Sequence, residues 1–324
     1  MSVPDVKESY GGKINVVTIG ATAAEGGTRS KAVKVGGHST IPFLRFEGET
    51  TPPVIALEVP DLPPDPGEWA EELVDPWRDV LNDPVAWARK AEKEYGADLV
   101  CIRLLSIHPD RGNAPAAKAR DLVKAIREAV KVPLIVWGCD DDPKDNEVMP
   151  VVSQALAGEK CLLGMASQEN YKTLAAACLA DGHNLLGLSP LDINIAKQVN
   201  ILVSDMGLPA ERIVMYPTTG ALGYGMEYTY SIMERGRLAA LAGDKMMSMP
   251  VFCVVGPESW KAKEAKALDA DAPQWGPAAE RGRMWEAVTA VVLLQAGADI
   301  LLLRHPKTIG VVRDAMQGLM AVKG

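Results

Sequence analysis

From residue 53 onward, short apolar runs alternate with longer amphipathic stretches. The runs are VIALEV from residue 54, DLVCIRL from 98, PLIVWGC from 133, CLLGMA from 161, NLLGLS from 184, RIVMYP from 212, VFCVVG from 251 and ILLLRH from 300. None alternates polar with apolar, so each reads as a strand buried on both faces, as in a parallel sheet. The stretches between them carry helical spacing. From Ala116 to Lys131, the residues Ala119, Leu122, Val123, Ile126, Ala129 and Val130 share one face. From Ala278 to Ala296, Met284, Trp285, Val288, Val291 and Val292 do the same. Gly96, Gly158, Gly182, Gly207 and Gly297 sit where helix C-caps belong. Eight strand–helix units over about 270 residues predict a (β/α)8 TIM barrel spanning residues 53–324.

Residues 1–52 precede the first barrel strand. Their INVVTIG and KAVKV segments are predicted to pair as a β-hairpin over the N-terminal end of the barrel. Two loops are long, PDLPPDPGEWAEELVDPWRDVLNDP after the first strand and GPESWKAKEAKALDADAPQWG after the seventh. Both emerge on the C-terminal face, where barrels place function. Trp69, Trp77, Trp260 and Trp275 fall in these loops, a placement that suits anchors of an interface as well as seals against the rim.

Composition narrows the classes. The 324 residues are 48% hydrophobic and 23% charged, ordinary for a globular chain. With 34 Lys and Arg against 42 Asp and Glu the net charge is −8, and the cations are scattered, which disfavours nucleic acid. No apolar run approaches the ~18 residues of a membrane span, and the start MSVPDVKESYGG lacks a leader pattern, so a cytoplasmic protein is expected. Cys101, Cys139, Cys161, Cys178 and Cys253 form no CxxC cluster and read as reduced thiols in or beside the core, with no zinc or iron–sulfur centre held by this chain alone.

The strand ends collect Glu58, Arg103, Asp140 to Asp142, Ser167, Ser189, Asp192, Asn194, Thr218, Thr219, Glu258, Arg304 and His305 on the C-terminal face. No Lys stands there for Schiff-base work, and no general base declares itself, so no catalytic residue is assigned. The Asp140–Asp142 triple reads as a solvated loop capping the next helix rather than as a metal site, and no metal ligands are assigned. His183 stands in Asp-x-His-x-x-x-Gly, one residue longer than the Asp-x-His-x-x-Gly of carriers that ligate cobalt through histidine, and it enters a strand at the far end of the barrel. The stretch YPTTGALGYGMEYTY from Tyr216 combines Thr218 and Thr219 hydroxyls with Gly220, Gly223 and Gly225, glycines that let backbone approach a ligand.

The segments YPTTGALGYGMEYTYSIMERGRLAAL (216–241) and PPVIALEV (52–59), with the long loops around them, resemble the small subunit of the corrinoid iron–sulfur protein, whose archaeal counterpart is the delta subunit of the acetyl-CoA decarbonylase/synthase complex. The resemblance runs essentially end to end. It implies a heterodimer with a larger subunit that carries the [4Fe–4S] cluster and the cobamide, the C-terminal barrel face lying against the corrin. It also implies methyl transfer from methyltetrahydrofolate, through a separate methyltransferase, to acetyl-CoA synthase in the reductive acetyl-CoA pathway of anaerobes. Strand-end geometry then nominates Ser189, Thr218, Thr219, Gly220, Gly223 and Tyr224 as cofactor-binding residues. A competing reading is a barrel methyltransferase that binds folate or pterin itself through Asp140, Asp192 and Asn194. A third is an inert structural barrel.

Overall fold

The computed structural model describes residues 7–321; the first six residues of the N-terminal extension and the last three of the barrel segment lie outside it. All eight predicted strands form. They are β3 (Val54–Pro60), β4 (Leu99–Arg103), β5 (Leu134–Trp137), β6 (Leu162–Ala166), β7 (Asn184–Leu188), β8 (Ile213–Tyr216), β9 (Phe252–Val254) and β10 (Ile300–Leu303), preceded by β1 (Val16–Ile19) and β2 (Val33–Gly36). The eight pair in parallel in the order β8-β7-β6-β5-β4-β3-β10-β9. A parallel bridge from Met215 to Val251 closes the ring, with the Met215 amide donating to the Pro250 carbonyl at 2.8 Å. The long loops carry α1 (Glu71–Val74) after β3, and α8 (Val255–Ser259) and α9 (Lys263–Lys266) after β9. The outer layer comprises α2 (Pro84–Lys93), α3 (Ala116–Ala129), α4 (Asp142–Ala155), α5 (Tyr171–Asp181), α6 (Ile193–Asp205), α7 (Met226–Leu241), α10 (Ala278–Ala296) and α11 (Thr308–Ala321).

Burial on both strand faces explains the unbroken apolar runs. One face of each strand meets the helices, and the other fills the barrel with Leu99, Cys101, Ile135, Leu162, Leu186, Val214, Phe252 and Leu302. Strands β1 and β2 pair antiparallel, Val16 opposite Gly36 and Ile19 opposite Val33. Their side chains alternate, and Val17, Ile19, Val33 and Val35 join the interior cluster while Lys34 stays in solvent. The pair plugs the N-terminal end of the barrel: the Gly20 amide donates to the Lys160 carbonyl at 2.8 Å, and Asn184 Nδ2 donates to the Thr18 carbonyl at 2.9 Å. Each buried valine or isoleucine of the plug contributes about 2 kcal/mol.

Helix α10 has the expected range, and its apolar stripe lies on one face that points outward: Met284 is 45% and Val288 37% exposed, and Trp285, Val291 and Val292 are only half-buried. The inward face instead holds Gly282, Glu286, Ala287, Thr289, Ala290 and Leu293. Close approach is the cause. A Cβ on Gly282 would stand 2.3 Å from the Trp260 ring, and Glu286 reaches inward to backbone donors at the end of β10. Helix α3 buries Ala119, Val123 and Ile126 as its spacing predicts.

At the start of α4, the Asp141 carboxylate accepts from the Lys144 amide at 2.9 Å, satisfying one of the helix's unpaired donors. Asp141→Ala is expected to lower stability by about 1 kcal/mol in urea unfolding, and an unchanged midpoint would show that water replaces the cap.

Candidate functional site

Because β10, β3 and β4 are neighbours in the ring, the charged residues at their C-terminal ends meet. The Glu58 carboxylate, 1% exposed, accepts from Arg304 Nε, from Arg304 Nη2 at 3.3 Å and from Arg103 Nη1 at 3.3 Å. Burial alone would raise its pKa; the guanidiniums of Arg304 and Arg103 more than reverse that and hold it below the usual carboxylate range. Arg103 continues to Asp140 Oδ2 at 3.1 Å and lies 4.1 Å from the Trp137 ring centre, while Arg304 lies 5.0 Å from that of Trp69. Arg103 Nε is buried with no hydrogen-bond partner. Arg103, Arg304 and Trp69 wall a cleft of about 280 Å³ at the mouth, which Arg111, Lys261 and His108 also line.

Three of the four loop tryptophans seal the rim rather than face outward. Trp77 is fully buried, stacks on Trp87 at 5.2 Å and donates to the Arg304 carbonyl at 3.1 Å. Trp69 is 9% exposed and meets Trp87 edge-on. Trp260, 3% exposed, stacks on His305 and donates from Nε1 to Glu286 at 3.3 Å. Only Trp275, 49% exposed, keeps the character of an interface anchor, beside Met284 and Val288 of α10. The loops are long enough to fold back on the barrel, and so they bury their own aromatics.

The predicted cofactor-binding residues fall in two groups. Ser189 and Thr218 meet directly, Thr218 Oγ1 donating to the Ser189 carbonyl at 2.6 Å, and Thr219 Oγ1 accepts from the Val254 amide at 2.9 Å. The Ser189 hydroxyl, in a residue only 2% exposed, has no partner. Thr218 has φ +65°, a conformation that a β-branched residue adopts only under strain. Gly220, Gly223 and Tyr224 lead away from this pair. The Gly220 amide donates to Thr229 Oγ1 at 2.7 Å and the Leu222 amide to Thr289 Oγ1 at 3.2 Å, so these two amides are engaged within the chain. Gly220 is required by close approach: a Cβ there would stand 2.4 Å from the Gly225 carbonyl. Tyr224, 48% exposed, donates to Glu264 at 3.0 Å on the outer rim.

The aspartate triple diverges. Asp140 accepts from Trp137 Nε1 at 2.6 Å, Asp141 caps α4, and Asp142 accepts from Asn170 Nδ2 at 2.8 Å. Asp192 caps α6 through the Asn194 amide at 2.7 Å, and Asn194 is exposed. His183 is fully buried, Nδ1 accepting from the Cys161 amide and Nε2 donating to the Ser153 carbonyl, far from the mouth. Among the described residues, no three His, Cys, Asp or Glu side chains gather as metal ligands. The position that sequence reasoning missed is Glu286, hidden in a helix that reads as apolar. Burial pushes its carboxyl up to about 7, against four donors: the amides of Arg304 and His305, Thr308 Oγ1 and Trp260 Nε1.

Residues 16–312 match the profile of the CO dehydrogenase/acetyl-CoA synthase delta subunit. The chain belongs to this family. It is 37% identical over 320 residues to the acetyl-CoA decarbonylase/synthase complex subunit delta of Archaeoglobus fulgidus, covering 97% of this chain and 70% of that protein. To the delta subunit of Methanopyrus kandleri it is 40% identical over 309 residues, covering 94% of this chain and 75% of that one. Among solved structures it is similar to Xanthomonas albilineans dihydropteroate synthase, with a TM-score of 0.56 and 16% identity over 84% of this chain and 94% of that chain. The dihydropteroate synthase of Coxiella burnetii in complex with pteroic acid gives 0.55 and 13% over 85% and 96%. These likenesses establish the barrel fold. The family makes the chain a subunit of the acetyl-CoA decarbonylase/synthase complex.

Proposed function

We propose that this subunit is a cover for a corrinoid methyl carrier. Its barrel mouth lies over the corrin plane of a cobamide held by a larger, [4Fe–4S]-bearing partner. The pair takes a methyl group from methyltetrahydrofolate, through a separate methyltransferase, and delivers it to acetyl-CoA synthase in the cytoplasm. When bound, the cobamide supplies the cobalt centre that accepts and gives up the methyl group. Everything this chain adds is binding, orientation and exclusion of water.

The observation that supports this placement is the unpartnered, buried hydroxyl of Ser189 beside the strained Thr218. A corrin edge carries neutral amides, which need hydroxyls and carbonyls rather than charges. Ser189 can donate and accept; Thr218 Oγ1, already donating, can still accept; Thr219 Oγ1, already accepting, can still donate. Gly220 and Gly223 hold the adjoining turn, and Tyr224 stands on the rim. Trp69 and Trp260 close the mouth loops against solvent. The exposed Met284, Val288 and Trp275 surface suits contact with the partner subunit.

A second reading is direct folate or pterin binding in the cleft of about 280 Å³ beside Trp69 and Arg103. It is weakened by Asp192, whose carboxylate is occupied in capping α6. Co-expression with the larger subunit, followed by size-exclusion chromatography and a visible spectrum, separates the two. A 1:1 complex with corrinoid and iron–sulfur absorbance, beside a colourless lone chain that binds no methyltetrahydrofolate, is the expected result. Folate binding by the lone chain, or no affinity for the larger subunit, overturns the cover.

Thr218→Gly isolates the role of the mouth. Relief of a left-handed β-branched residue offsets the lost hydrogen bond and the added chain entropy, so stability should stay within about 1 kcal/mol. Methyl transfer by the assembled complex should fall roughly tenfold, about 1.4 kcal/mol of barrel–corrin interaction. An unchanged rate would favour an inert scaffold.

A further inference from the structure

The mouth cleft of about 280 Å³ carries an imbalance of charge that a corrin cover does not call on. Four cations line it, Arg103, Arg111, Lys261 and Arg304, against one carboxylate, Glu68, which is exposed and takes the Asp65 amide at 3.2 Å. Glu58 and Asp140, the carboxylates that hold Arg103 and Arg304, are not part of its wall. Arg103 is fully committed, with Nη1 on Glu58, Nη2 on Asp140 and Nε sealed in the interior. Arg304 is not. Its Nε and Nη2 go to Glu58, while Nη1 makes no hydrogen bond and, unlike Arg103 Nε, is not sealed from solvent. His108 Nδ1 accepts from the Asp110 amide at 3.1 Å, which puts the ring proton of the neutral imidazole on Nε2, a donor with no partner within the chain. Arg111 is exposed and makes no ion pair among the described residues. Lys261 Nζ meets Glu258 at 2.7 Å on the open rim.

We propose that this cleft binds a small phosphate monoester, its dianionic head on Arg304 Nη1, Arg111 and His108 Nε2 with Lys261 at the rim, and its body against Leu62, Pro64 and Leu105. The donors come from three separate loops: His108 and Arg111 follow β4, Lys261 follows β9 and Arg304 ends β10. Three terminal phosphate oxygens can meet donors from several directions, whereas the two coplanar oxygens of a carboxylate are satisfied by a single guanidinium fork. Barrels commonly seat phosphates with the loops after their seventh and eighth strands, which here are β9 and β10. The volume stands near the lower end of the ~300–1,000 Å³ of ligand sites, so the body is small. Glu68 opposes an anion, but from the exposed rim, where water and salt screen it. The site needs neither the cobamide nor the larger subunit.

Titration calorimetry of the full chain with phenyl phosphate, beside benzoate, tests this. Saturable one-to-one binding of phenyl phosphate, roughly tenfold tighter than of benzoate, is expected from one additional charge-assisted contact. Arg111→Ala should weaken phenyl phosphate roughly tenfold with the unfolding temperature unchanged, because Arg111 is exposed and holds no ion pair in the fold. Arg235→Ala removes an exposed cation of α7, outside the cleft, and should leave the affinity as it is. No saturable binding of phenyl phosphate at millimolar concentration, equal binding of phenyl phosphate and benzoate, full affinity in Arg111→Ala, or the same loss in Arg235→Ala would each overturn the site.

Discussion

Glu58→Ala is expected to destabilise the chain by about 3–5 kcal/mol, because it leaves two guanidiniums facing each other at the mouth without their shared counter-charge. Glu58 is 1% exposed, and Arg304 is 9% exposed, so water cannot take the place of the carboxylate without opening the rim. Arg304 would also lose the partner that holds it over Trp69, and Arg103 the partner that balances Asp140. Glu58→Gln, which keeps one acceptor and the volume, should cost less than the alanine variant. The acid limb gives an independent check. The folded carboxyl is held below its ordinary pKa of 4.5, so its stabilising contribution is complete above that value and is lost as pH falls through the lower folded one. The wild type should therefore lose stability on that descent and Glu58→Gln should not lose this part of it. Urea midpoints measured across that range decide the matter, and equal midpoints for wild type and Glu58→Ala would mean that the cluster is a solvated surface arrangement.

The barrel was legible because burial on both faces of a parallel strand forces unbroken apolar runs, and VIALEV through ILLLRH carry that signal at even spacing. The hairpin was legible as two segments ahead of the barrel, INVVTIG and KAVKV, that could pair. Pairing across the ring was harder. Glu58, Arg103 and Arg304 were each visible as strand ends, but they become one cluster only when the last strand closes beside the first, which the barrel topology itself supplies. Which way the apolar stripe of α10 points is not legible in the sequence. Apolar periodicity locates a stripe and does not say whether the barrel or another surface covers it, and here small residues with Glu286 pack inward. The tryptophans were ambiguous because a long loop can bury an aromatic as well as present one. Ser189 and Thr218 were nominated from strand ends alone. The unpartnered hydroxyl and the positive φ that single them out are backbone and packing facts that no residue pattern encodes.

Glu286 is a buried carboxyl whose titration should be large. Burial raises its carboxyl from 4.5 to about 7, and the donors from Arg304, His305, Thr308 and Trp260 only partly oppose that rise. An acid with a raised folded pKa is ionised in the unfolded chain while still protonated in the folded one. Its contribution to stability is therefore lost as pH rises from about 4.5 to about 7. At 1.36 kcal/mol per unit the loss is on the order of 3 kcal/mol. Glu286→Gln removes the titration and keeps an acceptor for the β10 amides. Its stability relative to wild type should climb by that amount between pH 4.5 and pH 7 and then level off. The consequence reaches the mouth, because Glu286 fixes the backbone of Arg304 at 2.6 Å and thereby the guanidinium that Glu58 receives. A difference that stays flat with pH would mean that four donors compensate burial completely and that the carboxylate is ionised throughout, a fixed charge at the root of the mouth rather than a titrating one.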